Sequence, residues 1–246
     1  MSIIAIYNLK GGVGKTSTVV NLAYLAAQDG YRSLLWDLDP QGSTTFYYRI
    51  KPKVKGGARQ IVRGKRDLDP SIRGTDFADL DLLPSDFSYR KLDRALEATK
   101  QPVRHLGRML KPLKKAYDHL FLDCPTSLST LSESVFFAAD LLLIPVIPTT
   151  LSLRTLDQIQ RHLRKKAAKP PRVLPFFCMV DRRKTLHREI CAVYTDGKDG
   201  FLTTTIPFAS AVERMGLERA PLPSYDRRSR ATKAYEALWE EVKGKL

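Results

Sequence analysis

The chain has 246 residues, 43% of them hydrophobic and 27% charged, the composition of a soluble globular protein with one large α/β core or two small ones. Its 41 Lys+Arg against 26 Asp+Glu leave a net charge of +15, which suits a polyanionic partner, nucleic acid or an anionic membrane surface, as well as a generally basic solvated surface. Three scattered cysteines exclude a disulfide framework or a zinc site, and the longest apolar stretch, Ala138–Ile147, is broken by Asp140 and Pro145 and too short to span a bilayer.

In chain order, Ile3–Tyr7 reads as a buried strand running into a glycine-rich loop, which leaves no room for a signal peptide in the expected cytoplasmic protein. A helix follows over Lys15–Gln28, with Val19, Leu22, Ala23 and Ala26 at helical spacing and Gly30 as its stop. Ser33–Trp36 is a second strand ending at Asp37. The Gly- and Lys/Arg-rich stretch Lys51–Arg66 reads as a mobile surface loop. Further strands are predicted at Leu80–Leu83, His119–Leu122, Leu141–Val146 and Val173–Met179. Helices are predicted between them over Tyr89–Thr99, Val103–Tyr117, Ser127–Ala139, Leu151–Lys166 and Thr185–Tyr194. Pro221–Ser229 reads as a polar connection to a last helix, Arg230–Lys243, which buries Ala234, Tyr235, Leu238 and Val242. Strands alternating with helices predict right-handed βαβ units, hence a mostly parallel twisted sheet with helices on both faces. Ligands of such folds sit at the carboxyl ends of the strands. Nothing in the pattern divides the chain, so residues 1–246 are expected to be one domain.

The chemistry concentrates in Lys10-Gly11-Gly12-Val13-Gly14-Lys15-Thr16, with Ser17 beside it. A strand, a glycine-rich turn and a helix opening on Lys-Thr make a phosphate cradle: backbone N–H groups point inward, Lys15 reaches the β/γ-phosphates and Thr16 offers a hydroxyl to Mg²⁺. Position 9 is Leu where the usual loop has glycine, and Lys10 is an additional lysine. Carboxylates stand at two later strand ends, in Asp37-Leu38-Asp39-Pro40-Gln41-Gly42 and in Asp123-Cys124-Pro125. Asp123 suits the shell of the metal and Asp39 the placement or activation of an attacking water, with Asp37 able to share either task.

With these motifs, and with Pro145-Val146-Ile147-Pro148, Met179-Val180-Asp181-Arg182-Arg183 and Ile206-Pro207 in the same order, the chain closely resembles the ParA/MinD family of deviant-Walker P-loop ATPases. The resemblance implies an α/β P-loop NTPase of the SIMIBI type that binds ATP and Mg²⁺. Lys10 would cross to the partner's nucleotide in an ATP-bound homodimer, and Lys10, Lys15 and Asp39 would be the catalytic residues. The nucleotide would be held by Gly11, Gly12, Val13, Gly14, Lys15, Thr16 and Ser17, with Ile206, Pro207 and Phe208 near the adenine. Thr16, Asp39 and Asp123 would surround Mg²⁺. Such ATPases hydrolyse slowly until a cargo-adaptor protein stimulates them, and their dimers coat DNA or membrane to position cargo.

The resemblance is nearer the ParA branch, because Glu240-Glu241-Val242-Lys243-Gly244-Lys245-Leu246 is no basic amphipathic tail for lipid. The first strand begins at residue 2, so a preceding helix-turn-helix and operator recognition are not expected. Non-specific DNA is therefore the expected partner of a nucleoid-associated protein. A membrane-surface positioning ATPase and a P-loop metabolic enzyme are the rival readings.

Cations crowd the C-terminal half in three groups: Arg161, Arg164, Lys165, Lys166, Lys169 and Arg172; Arg182, Arg183, Lys184 and Arg188; Arg214, Arg219, Arg227, Arg228, Arg230 and Lys233. Arg182, Arg183, Arg214, Arg227 and Arg228 are the DNA contacts chosen from them, of the phosphate-directed kind that carries no sequence information. Cys124 is read as a small buried residue rather than a redox centre, and the four histidines show no metal-ligand spacing.

Overall fold

The structure is a computed structural model that describes residues 1–63, 68–166, 170–194 and 200–246. Lys169 and residues 64–66 of the predicted loop lie outside the described residues, as does the side chain of Lys166. Seven strands, β1 (Ser2–Ile6), β2 (Ser33–Asp37), β3 (Arg73–Gly74), β4 (Leu80–Leu83), β5 (His119–Asp123), β6 (Leu141–Val146) and β7 (Arg172–Phe177), form one sheet in the order β3-β4-β2-β5-β1-β6-β7. All neighbours are parallel except the short edge strand β3, which runs antiparallel to β4.

Among the described residues twelve α-helices connect and follow the strands. They are α1 (Lys15–Gln28), α2 (Ser43–Tyr47), α3 (Gly57–Arg63), α4 (Leu92–Glu97), α5 (Pro102–Leu110), α6 (Thr130–Ala138), α7 (Thr150–Lys166), α8 (Thr185–Tyr194), α9 (Ser210–Glu213), α10 (Met215–Glu218), α11 (Leu222–Tyr225) and α12 (Arg230–Lys243). Alternation along each strand sorts them onto two faces. Ile3, Ala5 and Tyr7 point into one core with Leu106 and Leu110 of α5, Val135 of α6 and Leu156, Ile159 and Leu163 of α7. Ile4 and Ile6 point into the other with α1 and with Tyr235, Leu238, Trp239 and Val242 of α12.

Three expectations need correction. The stretch Lys51–Arg66 contains α3, which buries Ala58, Ile61 and Val62; their i, i+3, i+4 spacing is a helical stripe that its glycines and lysines obscured. The predicted helix Val103–Tyr117 ends at Leu110 and resumes as a 3₁₀ turn, Pro112–Lys115, because Pro112 has no N–H to continue the ladder. The connection Pro221–Ser229 contains α11, whose first residue Leu222 is fully buried and donates its N–H to Asn21 Oδ1 on α1 (2.8 Å).

Helix α12 docks on the core as expected, with Trp239 (1% exposed) an additional anchor and Ala234 only half-buried. Trp239 Nε1 donates to Asp29 Oδ2 at 2.8 Å, and Lys243 Nζ reaches the same oxygen at 2.6 Å. Below Trp239 sits His119, whose ring lies 4.7 Å from Tyr31 and 5.7 Å from Trp239 and whose two buried nitrogens have no hydrogen-bond partner among the described residues. Burial drives its pKa down; the N-terminal amine adds to this, and the Asp118 carboxylate opposes it. The folded state therefore resists protonation, and below about pH 6.5 the unfolded chain takes up the proton first. Stability is expected to fall as pH drops from 7 to 5, by at most about 1.4 kcal/mol per pH unit from this group. Urea melts of the wild type and His119→Phe check this, the variant being expected to show the shallower pH slope; parallel slopes would remove His119 as the cause.

Candidate nucleotide site

The phosphate loop is held at the carboxyl end of β1 by Asn8, a fully buried residue that the sequence reading did not single out. Its Nδ2 donates to Pro145 O (2.8 Å) and its Oδ1 accepts from Lys10 N–H (2.9 Å), tying the start of the loop to the end of β6. Gly14 caps α1 in the left-handed region at φ +93°, and a Cβ there would lie 2.6 Å from Cys178 Sγ. Glycine is thus required at this position both by the turn and by the close approach of the loop to the end of β7.

Lys15, 7% exposed, folds back so that its Nζ donates to Lys10 O at 3.3 Å. Burial lowers its pKa, and the Asp123 and Asp39 carboxylates push the other way. Ser17 Oγ donates to Gly14 O (3.1 Å), closing the first turn. Lys10 itself is half-exposed and in no ion pair among the described residues.

Pairing of β2 with β5 sets Asp37 directly beside Asp123 at the strand ends. Both carboxyls are almost wholly buried, and burial raises both pKa values, with the Asp123 charge adding to the rise at Asp37 and the Asp39 charge to that at Asp123. Asp123 Oδ2 accepts from Thr16 Oγ1 (2.9 Å) and Thr44 Oγ1 (2.7 Å), while its buried Oδ1 has no partner among the described residues. Asp37 Oδ2 accepts from Thr45 N–H (2.8 Å) and Thr45 Oγ1 (2.7 Å). Asp39 lies half-buried at the mouth; its Oδ1 accepts from Gln41 N–H (2.9 Å), and Ser85 Oγ donates to its backbone carbonyl (2.5 Å). Thr44 and Ser85 act on chain segments far apart in sequence and Thr45 reaches back to Asp37 through the turn before α2, so no local motif announces them.

The unpartnered Asp123 oxygen beside the Thr16 hydroxyl is a fit for a hard divalent cation. A Mg²⁺ of this class needs one or two protein oxygens, the rest of its shell coming from phosphates and waters. Among the described residues there is no cluster of three or more His, Cys, Asp or Glu that would cage a metal by itself.

Beside the loop is a cavity of about 280 Å³. Gly14, Lys15, Thr16 and Ser17 line one side and Met179, Ile206, Pro207 and Phe208 the other, so the predicted adenine residues and phosphate residues face one space. Val13 is buried under the loop, and Gly11 is exposed at its tip. Tyr47, Cys178 and Tyr235 also line the cavity and were not foreseen. The thiol of Cys178 is pushed up to about 12 by burial and that of Cys124 is raised by burial as well, so both stay protonated and inert.

A second cavity, of about 610 Å³, shares Pro207 and Phe208 with the first and is lined by Arg182, Arg183, Arg228, Arg230 and Lys233. Three of the five predicted DNA contacts meet here. Arg183 is held there by a two-pronged pair with Asp181 (2.9 Å to each oxygen). Arg214 and Arg227 do not line this groove: Arg214 pairs with Glu218 (3.2 Å), and Arg227 is exposed. Among the described residues no helix is long and apolar enough to cross a membrane.

Residues 1–170 match the AAA domain family. The chain is 33% identical to the sporulation initiation inhibitor protein Soj of Bacillus subtilis, across 98% of this chain and 97% of Soj. It is 28% identical to the chromosome partitioning protein ParA of Caulobacter vibrioides, across 98% and 94%. Among solved structures it resembles cobyrinic acid a,c-diamide synthase of Mycobacterium smegmatis with bound ATP analogue and magnesium, at TM-score 0.81 and 25% identity over 98% and 93% of the two chains. The loop with its additional lysine, the two strand-end aspartates and the full-length similarity to Soj agree: the chain belongs to the ParA/MinD family of P-loop ATPases.

Proposed function

We propose that the protein is an ATP-gated switch that dimerises on ATP, binds DNA without sequence preference and positions cargo, with all 246 residues acting as one unit. The observation that carries this reading is the common wall: Pro207 and Phe208 line both the phosphate-loop cavity and the arginine groove. A change on one side of that wall is felt on the other, the coupling a switch needs.

ATP binds with its phosphates in the loop and its base against Ile206, Pro207 and Phe208. Thr16, Asp39 and Asp123 would hold Mg²⁺. When bound, the cation neutralises charge developing on the β/γ-phosphates. Lys15 anchors those phosphates, and Asp39, its backbone clamped by Ser85, orients the attacking water. The half-exposed ammonium of Lys10 is free to reach a partner subunit's nucleotide across the dimer. Dimerisation doubles the basic footprint of Arg182, Arg183 and Arg228, with Arg214 and Arg227 contributing from outside the groove. Hydrolysis is slow until a cargo-adaptor protein stimulates it, which places the protein on the nucleoid in the cytoplasm.

DNA retention with ATP, ADP and no nucleotide, across a salt series, tests the switch. Retention is expected to be at least tenfold stronger with ATP than with ADP or no nucleotide, and to weaken steeply with salt. Equal retention in all three states would sink it. Asp39→Ala is expected to keep ATP binding, lose at least tenfold in hydrolysis and stay on DNA; normal hydrolysis by this variant would remove Asp39 from its role. The similarity to an amide synthase keeps a metabolic reading in view, and turnover that rises with a small carboxylic acid but not with DNA and adaptor would favour it. Recruitment to anionic liposomes with ATP would favour the membrane reading instead.

A further inference from the structure

The arginine groove leaves another concentration of charge unused. From Ala98 to Tyr117 the sequence has six Lys/Arg and no Asp/Glu, and from Ile50 to Arg63 five Lys/Arg and no Asp/Glu. An ordinary solvated surface mixes the signs; two acid-free stretches are a single-sign field. The fold joins them, because α5 packs against α3 and the His105 ring is hydrogen-bonded to the Val62 carbonyl near the end of α3.

Arg59 and Arg63 on α3, Arg104 and Arg108 on α5, and Lys111 and Lys115 just beyond are all exposed. Among the described residues none of these six is in an ion pair. The bordering carboxylates are engaged elsewhere. Asp93 accepts from Leu131 N–H (2.8 Å) and Glu97 from the Thr130 hydroxyl (3.1 Å), both at the start of α6, and Asp118 is held by Arg32 (3.0 Å). The six cations outnumber the bordering carboxylates Asp93, Glu97 and Asp118, so the net field of the patch stays positive.

We propose that α3, α5 and the 3₁₀ turn after α5 form a second docking surface for the phosphate backbone of a nucleic-acid duplex, so that one protein bridges two duplexes. The apolar side of α5, Leu106 and Leu110, is buried in the core, which leaves no apolar face to enter a lipid surface. A protein partner wants a central apolar or aromatic anchor; Phe137, 42% exposed, stands on α6 beside the patch, with the Arg104 guanidinium over its ring (5.4 Å to the centroid), and not among the cations of α3 and α5. What remains is a row of cations, Arg104 to Arg108 about 6 Å apart along the helix, matching a densely charged polyanion.

Position makes this surface distinct from the groove. Leu106 and Leu110 pack in the core of Ile3 and Ala5, and α12, which carries Arg230 and Lys233, packs in the core of Ile4 and Ile6, so the sheet stands between them. None of the six cations lines either cavity, and binding here does not depend on nucleotide. The bridging role rests on the DNA reading of the groove; the second surface does not.

The test uses the full chain, bead-tethered duplex and a free labelled duplex at low salt. With ATP the wild type is expected to capture the labelled duplex. Arg104→Glu/Arg108→Glu/Lys111→Glu is expected to reduce capture at least tenfold, leaving protein on the beads within twofold, and the corresponding Gln triple variant is expected to fall between. In nucleotide-free protein the Glu variant is expected to lower the slope of log affinity against log salt by about 2 to 3. Unchanged capture, or no capture by the wild type, overturns the proposal. Loss of bead occupancy together with capture overturns it too, by making α5 part of the first footprint. So does loss of anionic-vesicle binding with duplex capture intact. Retention that ignores nucleotide sinks the switch, yet the effect of the α5 variants is still read in the same assay.

Discussion

Lys15→Ala is expected to weaken ATP binding at least a hundredfold, measured by titration calorimetry or with a fluorescent ATP analogue. The residue is 7% exposed and its Nζ sits within the loop, donating to the Lys10 carbonyl. A charged hydrogen bond contributes about 1.5–3 kcal/mol, and an ammonium shared between two phosphates makes two, which corresponds to between about a hundredfold and ten-thousandfold in affinity. Lys15→Arg is expected to fail as well, because the larger planar guanidinium has no room where Nζ now meets the Lys10 carbonyl at 3.3 Å. Circular dichroism separates loss of binding from loss of fold. Affinity within threefold of the wild type, in a folded Lys15→Ala protein, would place the phosphates somewhere other than this loop.

How far the sequence revealed this arrangement depends on how local each signal was. Helix α1 is bounded as predicted, at Lys15 and Gln28, because its limits are set by residues next to it: Gly14 in the left-handed region before it and Gly30 just beyond. The strands β4 and β6 match their apolar runs to the residue for the same reason. Helix α3 was missed because its stripe of Ala58, Ile61 and Val62 is short and set among glycines and lysines. In the site, the loop, Asp39 and Asp123 were legible as motifs. Thr44 and Ser85 were not, since they meet Asp123 and Asp39 only once distant segments are brought together by the sheet, and Thr45 was not, since it reaches back to Asp37 through the turn before α2. Charge followed the same rule. Crowding in the C-terminal half drew attention to Arg182, Arg183 and Arg228, which do meet, but also to Arg214 and Arg227, which line no common groove with them. The absence of acids from Ala98 to Tyr117 carries information only once α3 and α5 are seen side by side.

Gly14→Ala is expected to cost about 3 kcal/mol of stability and to abolish nucleotide binding, and a second substitution separates the two causes. One is conformational: at φ +93° an L-residue is strained by about 1–2 kcal/mol. The other is steric: the new Cβ would lie 2.6 Å from Cys178 Sγ, closer than any real Cβ contact, so the loop or the thiol has to shift. Cys178→Ala removes the sulfur and leaves its own Cβ at 4.0 Å, an ordinary contact. In a urea double-mutant cycle the pair Gly14→Ala/Cys178→Ala is therefore expected to be at least about 1 kcal/mol more stable than the sum of its single costs. Additivity within about 0.3 kcal/mol would mean that strain alone makes this position glycine. ATP binding is expected to stay lost in the double variant. Relieving the sulfur contact restores packing between the loop and β7, but not the left-handed backbone that aims the N–H groups of the loop at phosphate.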